Sequence, residues 1–237
     1  MRSGLRRLII DVPFIPEDQK TKLRLYLDEV LRANRQFNLT AVRDPEIAWS
    51  KHILDSLQGL STEGSTPFIA RARVIDVGSG AGFPGVVLAI AKPDLQVTLL
   101  EATRKKCNFL EAATSIHAPN AQVLCARAED AGHDLQWREK FDVAIARAVG
   151  SFSEVCELCL PFVKVGGHVL LWRGQYAFLE IEESKRALQT LGGVAEVLPA
   201  YTLPHHDTNY HLVLIKKTKK TPPIYPRRSG VPKQEPL

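Results

Sequence analysis

The spacing of apolar residues changes near residue 67. Before it the spacing is helical. From Pro16, acids Glu17 and Asp18 open a segment whose apolar stripe runs through Leu23, Leu27, Val30 or Leu31, and Phe37. Asp44-Pro45-Glu46 supplies an N-cap followed by proline at the first helical position, so a second helix is expected over Ile47 to Leu60. Residues 61 to 68, rich in Ser, Thr, Gly and Pro, read as a linker. Residues 1–66 are therefore expected to form an N-terminal helical extension.

Beyond it, short apolar strands alternate with helical stretches. Strands are expected at Val74–Val77, Val97–Glu101, Ala121–Ala126, Phe141–Ala146 and Gly167–Trp172. Helices are expected near Pro84–Ala91, Thr103–Ile116, Ser153–Phe162 and Phe178–Leu191. Such alternation makes a mostly parallel sheet covered on both faces. The last two strands, Ala195–Tyr201 and Tyr210–Lys216, are separated only by a polar loop and should pair as an antiparallel hairpin. The expected class is α/β, with a seven-stranded, mostly parallel sheet over residues 67–218 and a basic tail over 219–237.

One turn dominates the chemistry. Val74-Ile75-Asp76-Val77 runs into Gly78-Ser79-Gly80-Ala81-Gly82-Phe83-Pro84-Gly85, and a helical run follows at once. Glycines let a ligand approach the backbone, and the unpaired amides of a helix start can face its polar groups. Gly80-x-Gly82-x-x-Gly85 formally matches a dinucleotide fingerprint, with Glu101 about 20 residues on. Framed from Asp76 to Gly82, the same turn reads as an acid-x-Gly-x-Gly-x-Gly site for S-adenosylmethionine. Asp76 favours the second frame, because a carboxylate suits a cationic ligand better than a pyrophosphate. The hairpin ending points the same way, to a Rossmann-like methyltransferase fold rather than a nicotinamide oxidoreductase.

In open α/β sheets ligands bind outside the carboxyl ends of the strands. Those ends carry the glycine turn, with Phe83 able to cover an apolar ligand surface; Glu101, able to accept two ribose hydroxyls; Ala128-Glu129, placed to meet an adenine ring; and Arg147. An arginine inside Val143-Ala144-Ile145-Ala146 and Ala148-Val149 needs an acceptor. Either a ligand or a structural ion pair, to Asp76 or Glu101, would serve. His52 and Asp55 stand at i, i+3 on the second helix, where spacing alone favours a solvated polar face opposite Leu54 and Leu57.

Composition adds limits. The longest apolar runs fall short of the roughly 20 residues a membrane helix needs, and Asp11 interrupts Leu8-Ile9-Ile10, so a cytoplasmic protein is expected. Cys156-x-x-Cys159 sits inside an expected helix and reads as two buried thiols. Residues 216 to 237 hold seven Lys or Arg against one acid, while the remainder carries 24 basic and 25 acidic groups. The basic excess is thus a terminal feature, and it makes a small-molecule substrate less attractive than a nucleic acid.

Together these segments resemble the bacterial RsmG family, also called GidB. The resemblance rests on Asn38-Leu39-Thr40-Ala41-Val42-Arg43-Asp44-Pro45, Lys51-His52-Ile53-Leu54-Asp55-Ser56-Leu57, the glycine turn, Arg104-Lys105-Lys106, Ala146-Arg147-Ala148 and the closing Tyr225-Pro226-Arg227-Arg228. It implies methylation of guanine N7 in 16S ribosomal RNA, at guanine 527 in the usual rRNA numbering, as bare RNA or a 30S subunit; the sequence does not fix the oligomeric state, and a monomer is expected. It further implies cofactor contact by Gly78, Phe83, Ala128, Glu129 and Arg147, to which the strand-end reading adds Gly80 and Glu101. Lys51, His52, Arg35, Arg173, Arg227 and Arg228 are candidates for the RNA, and removing residues 219–237 is expected to weaken RNA binding while sparing the cofactor. Arg173 departs from the family, which usually carries lysine there. No general base is expected, since N7 already presents a lone pair and catalysis reduces to alignment. The chain lacks the Asn/Asp-Pro-Pro-aromatic box of amine methylation at Ala146-Arg147-Ala148-Val149, and the nearest thiol, Cys156, falls inside the next helix.

Overall fold

A computed structural model describes residues 14–61 and 67–237. The Leu8-Ile9-Ile10 run and most of the Ser/Thr/Gly/Pro linker lie outside the described residues. Helix α1 (Glu17–Asn34) follows Pro16 and buries Leu23, Tyr26, Leu27 and Val30. Asn34 at its end clamps the next loop: its Oδ1 accepts from Leu39 N and Thr40 N, at 2.7 and 3.0 Å, and its Nδ2 donates to Thr40 O.

Asp44 caps α2 (Pro45–Ala48) as its sequence foretells, accepting from Glu46 N and Ile47 N. The helix expected to continue to Leu60 changes pitch on the way. A π turn (Trp49–Leu54) leads into α3 (Asp55–Leu57) and a 3-10 turn (Gln58–Leu60). Such π turns are rare and recur at functional sites; this one carries Lys51 and His52.

The sheet follows the expected alternation. Strands β1 (Arg73–Val77), β2 (Gln96–Glu101) and β3 (Ala121–Cys125) are joined by α4 (Gly85–Ala91) and α5 (Arg104–His117). The short α6 (Ala128–Ala131) leads to β4 (Phe141–Arg147), then α7 (Phe152–Cys159), β5 (Val163–Arg173), α8 (Ala177–Glu183) and α9 (Lys185–Leu191). Strands β6 (Gly193–Val197), β7 (Tyr201–Thr202) and β8 (Asn209–Lys217) follow, and α10 (Val231–Gln234) lies near the C-terminus. The order is β3-β2-β1-β4-β5-β8-β6, with β1 to β5 parallel and β8 antiparallel to both neighbours. The hairpin and the seven-strand path are as expected. The first hairpin arm breaks at Leu198-Pro199-Ala200, and its remainder, β7, pairs separately with β8; proline has no N–H for a ladder.

Alternate strand residues face opposite cores. Val74, Val97, Leu99, Val143 and Ile145 join α1, α4 and α5, whereas Ile75, Val77, Ala144 and Ala146 join α7 and α9. The N-terminal helices thus share a core with the sheet. Cys156 and Cys159 are buried on α7, and burial pushes both thiols up.

The glycine turn separates two kinds of glycine. Gly80 (φ +59°) borders open space, with nothing nearer than 3.9 Å to an added Cβ, whereas a Cβ on Gly82 (φ +84°) would run into the Tyr26 hydroxyl and, at 2.6 Å, Val86. Gly80→Ala should cost only the left-handed backbone penalty, about 1–2 kcal/mol. Gly82→Ala should add overpacking and lose roughly 3 kcal/mol or more. Urea denaturation of the two variants checks the order, and equal losses would refute it.

Candidate active site

The strand order reverses between β1 and β4, and the crevice outside their carboxyl ends is where such sheets bind ligands. Three groups of side chains line that row of ends.

At β1 and β2 the glycine turn is tied down by its own backbone and two acids. Gly78 N and Ser79 N donate to Leu100 O at 2.9 and 3.0 Å. Glu101 accepts from Gly80 N at 3.0 Å and Thr103 N at 2.8 Å. Each of its carboxylate oxygens retains a further lone pair for a hydroxyl. Asp76 is buried and accepts from Gly85 N at 3.0 Å. It therefore organises the turn from within, whereas the sequence pattern suggested that it favours a cationic ligand at the strand mouth. Burial raises its carboxyl to about 7, against the opposing pull of the Gly85 N–H and the Arg147 charge. Tyr26 OH donates to Ala81 O, so α1 also braces the turn. Gly78 is exposed and Gly80 half-buried, so their backbone faces the crevice.

At β4 the arginine finds its acceptors. Arg147 Nη1 donates to Asp55 Oδ2 at 2.7 Å and to Lys51 O at 3.0 Å; its Nη2 lies 3.4 Å from His52 Nδ1. The ion-pair reading is therefore met, but with Asp55 rather than Asp76 or Glu101. Asp55 also accepts from Tyr201 OH at 2.7 Å, and its carbonyl accepts from Trp172 Nε1. The solvated face expected for His52 and Asp55 is corrected accordingly: they are 8% and 5% exposed, because partners from β4, β5 and β7 converge on the helix. His52 stacks on Phe83 at 4.6 Å and 8°, which leaves Phe83 mostly covered. Burial, then the charges of Arg147 and Lys51, lower the imidazole to about 3, so it is neutral at physiological pH. With a guanidinium donor at Nδ1, the tautomer is Nε2–H, donating to Thr40 Oγ1 at 2.8 Å.

Lys51, His52, Asp55, Arg147, Arg173 and Tyr210 help line a cleft of about 340 Å³. Arg173 is not free: it forks onto Glu180 at 2.8 and 2.5 Å and donates to Gly150 O. At β3, Ala128 opens α6 and Glu129 accepts from Gly230 N at 3.1 Å. Arg227 is also engaged, with Glu157 on α7. Only Arg228 of the paired tail arginines stands on the surface. The structure so gathers Lys51, His52, Phe83, Arg147 and Arg173 at one end of the row and Ala128 and Glu129 at the other, with Gly78, Gly80 and Glu101 between.

Comparison with known proteins gives the family. The family model described as "GidB: rRNA small subunit methyltransferase G" matches residues 19–212. The chain belongs to this family. It is 38% identical to the ribosomal RNA small subunit methyltransferase G of Alkaliphilus oremlandii, over 100% of this chain and 97% of that one. It is 42% identical to the one from Symbiobacterium thermophilum, over 90% and 88%. Among solved structures, the YcgJ protein of Bacillus subtilis shares the fold with TM-score 0.53 at 13% identity, covering 70% of this chain and 98% of that one. Aeropyrum pernix fibrillarin, solved with natively bound S-adenosyl-L-methionine, aligns with TM-score 0.51 at 14% identity over 66% and 72%.

For this family member, sequence reasoning missed Tyr26, Thr40, Tyr201 and the true role of Asp55. Asn38-Leu39-Thr40 and Lys51 to Leu57 stand out as motifs, but nothing local reveals that Thr40 anchors His52 or that Asp55 meets Arg147.

The raised Asp76 carboxyl has a pH signature. Its folded-state affinity for a proton exceeds the unfolded one, so its stabilisation is complete below about pH 4 and is lost as pH rises through about 7. Asp76→Asn keeps an acceptor for Gly85 N–H but cannot titrate. Relative to this variant, the wild type should lose roughly 2–4 kcal/mol between about pH 4 and pH 8, measured by denaturant unfolding. A pH-independent difference would refute the assignment.

Proposed function

We propose that the protein transfers the methyl group of S-adenosylmethionine to N7 of a guanosine in 16S ribosomal RNA, guanine 527 in the usual rRNA numbering. Family membership supports the methyltransferase class and the small-subunit RNA. The N7 reading is carried by the state of the cleft's titratable groups. Both carboxylates lining it are engaged, Asp55 by Arg147 and Tyr201, Glu180 by Arg173. Its histidine is neutral, with each ring nitrogen beside a partner. Among the described lining residues none is poised to take a proton, and N7 needs none taken.

The cofactor fits the residues present. Exposed Gly78 and half-buried Gly80 admit close approach, Glu101 has lone pairs for ribose hydroxyls, and Ala128 and Glu129, at the start of α6 after β3, are the residues assigned to the adenine edge. When bound, S-adenosylmethionine supplies a sulfonium methyl: the N7 lone pair forms the new bond to carbon as the carbon–sulfur bond breaks, its electrons staying on sulfur. The protein's part is orientation.

Arg147 has a geometry suited to that part. Bidentate recognition of guanine occupies O6 and N7 together and would block the reacting atom. Here Nη1 is committed to Asp55 and Lys51 O, and one Nη2 hydrogen faces His52. The hydrogen that remains on Nη2 can reach a cofactor oxygen or O6 alone. Lys51 and Arg228 supply positive charge near the opening or on the surface, and binding through them is salt-dependent.

The experiment is methylation of 30S subunits, naked 16S RNA and free guanosine side by side, with RNA carrying 7-deazaguanine at the target as control. Label should enter guanine N7 of 16S RNA in one of the first two substrates and vanish with the deaza base. Transfer to free guanosine alone would favour a small-molecule enzyme and overturn the proposal. Arg147→Ala should lower kcat/KM by about 100-fold; intact cofactor affinity and turnover would remove Arg147 from the site.

A further inference from the structure

The basic C-terminal segment, read from charge as a loose tail, is fastened along the protein from β8 to the adenine end of the crevice. Thr221 Oγ1 donates to Leu191 O at 2.9 Å. The Arg138 guanidinium then gathers four carbonyls: Nη1 donates to Gly132 O and Tyr225 O, and Nη2 to Thr221 O and Pro222 O, at 2.7 to 3.2 Å. His133 Nε2–H donates to Pro226 O at 2.6 Å. The Pro226 ring lies so close to Gly132 that a Cβ there would meet it at 2.7 Å.

The deepest anchor is Arg227. Its backbone N and Nε donate to Glu157 Oε1, at 2.7 and 2.9 Å, and its Nη2 to Oε2 at 2.7 Å. The Glu157 side chain is 1% exposed and that of Arg227 23% exposed. A carboxylate so buried demands a partner, so this pair holds the segment in one place. Three residues on, Gly230 N donates to Glu129 Oε1.

We propose that this segment is a positioning strap for the cofactor: Arg227, seated on Glu157, sets the Gly230 N–H against Glu129 and so aims that carboxylate's other oxygen at the adenine edge. The inference rests on the cofactor reading of Glu129 given above. A glutamate loses side-chain freedom when it is ordered, and a strap that orders it beforehand removes that cost from binding. Arg227, Glu157 and Gly230 act through Glu129 and are positioning residues. The sequence expectation is that removing residues 219–237 weakens RNA binding and spares the cofactor; for Arg227 the strap predicts the opposite split.

The test is calorimetric binding of S-adenosylhomocysteine to the full chain, wild type against Arg227→Gln, with steady-state constants for both substrates. Arg227→Gln should weaken S-adenosylhomocysteine about tenfold and raise KM for S-adenosylmethionine in step, while KM for RNA stays unchanged. A merely structural pair would lower the unfolding midpoint without that split. If Arg227→Gln does not fold, Glu157→Gln, which keeps an acceptor oxygen for Arg227, decides the question on the same readouts. Equal affinity in variant and wild type overturns the strap alone, as does a rise confined to KM for RNA, which would make the segment an RNA arm. A wild-type chain that binds no S-adenosylhomocysteine overturns the cofactor reading and the strap with it.

Discussion

A guanidinium carried to the end of a buried strand must find acceptors there, and most of the β4 end of the crevice follows from where Arg147 finds them. Asp55, the Lys51 carbonyl and His52 all belong to one turn and a half of the N-terminal helix. Two of these acceptors, Lys51 and His52, lie in the π turn from Trp49 to Leu54, and Asp55 opens the α-helical turn that follows it. The ion pair is largely out of water, with side-chain exposures of 14% and 7%. Removing one partner from such a pair costs roughly 3–5 kcal/mol, far more than the pair's net stabilisation, because the other charge is left stranded. Tyr201 OH on the second Asp55 oxygen completes the satisfaction of that carboxylate. The N-terminal extension is accordingly one wall of the cleft.

What was legible in the sequence was whatever is encoded locally. The parallel strands appeared because their apolar residues fill two cores at period 2, the turn because glycines cluster in it, and the helix start at Asp44 because its cap and proline are adjacent in the chain. The hairpin was legible because only a polar loop separates its arms. The pairings that make the site were not, since Asp55 meets Arg147 across 92 residues and Tyr201 across 146. Helical spacing places His52 and Asp55 on one face but does not say which face is covered. Charge counting could not place the C-terminal segment for a similar reason: a tally of lysines and arginines does not reveal that Glu157 lies buried within α7 and pairs with Arg227.

Asp76 and Glu101, the acids of β1 and β2, share the work at the middle of the row; both are buried, and the amides they accept from distinguish them. Asp76 sits beneath the turn and is pushed toward neutrality. Glu101 sits beside it, accepting from Gly80 and Thr103 amides. The inner acid therefore shapes the turn while the outer one keeps lone pairs for a ligand. A sequence pattern beginning with an acid is thus explained without direct ligand contact by that acid.

The two chain segments outside the alternating strands and helices brace opposite ends of one crevice. The N-terminal π turn meets β4 at Arg147, and the C-terminal strap meets α6 after β3 at Glu129. Both anchors use the same device, a buried carboxylate facing a partly covered guanidinium, Asp55 with Arg147 and Glu157 with Arg227. Exposed pairs would hold their segments weakly and only at low salt. These pairs hold a fixed geometry, because the buried carboxylate cannot lose its partner without being stranded. For the N7 transfer proposed here, which asks its protein for alignment more than for acid–base chemistry, rigid ends on the crevice are the property most worth building, and this chain sets an arginine on a buried carboxylate behind each of them.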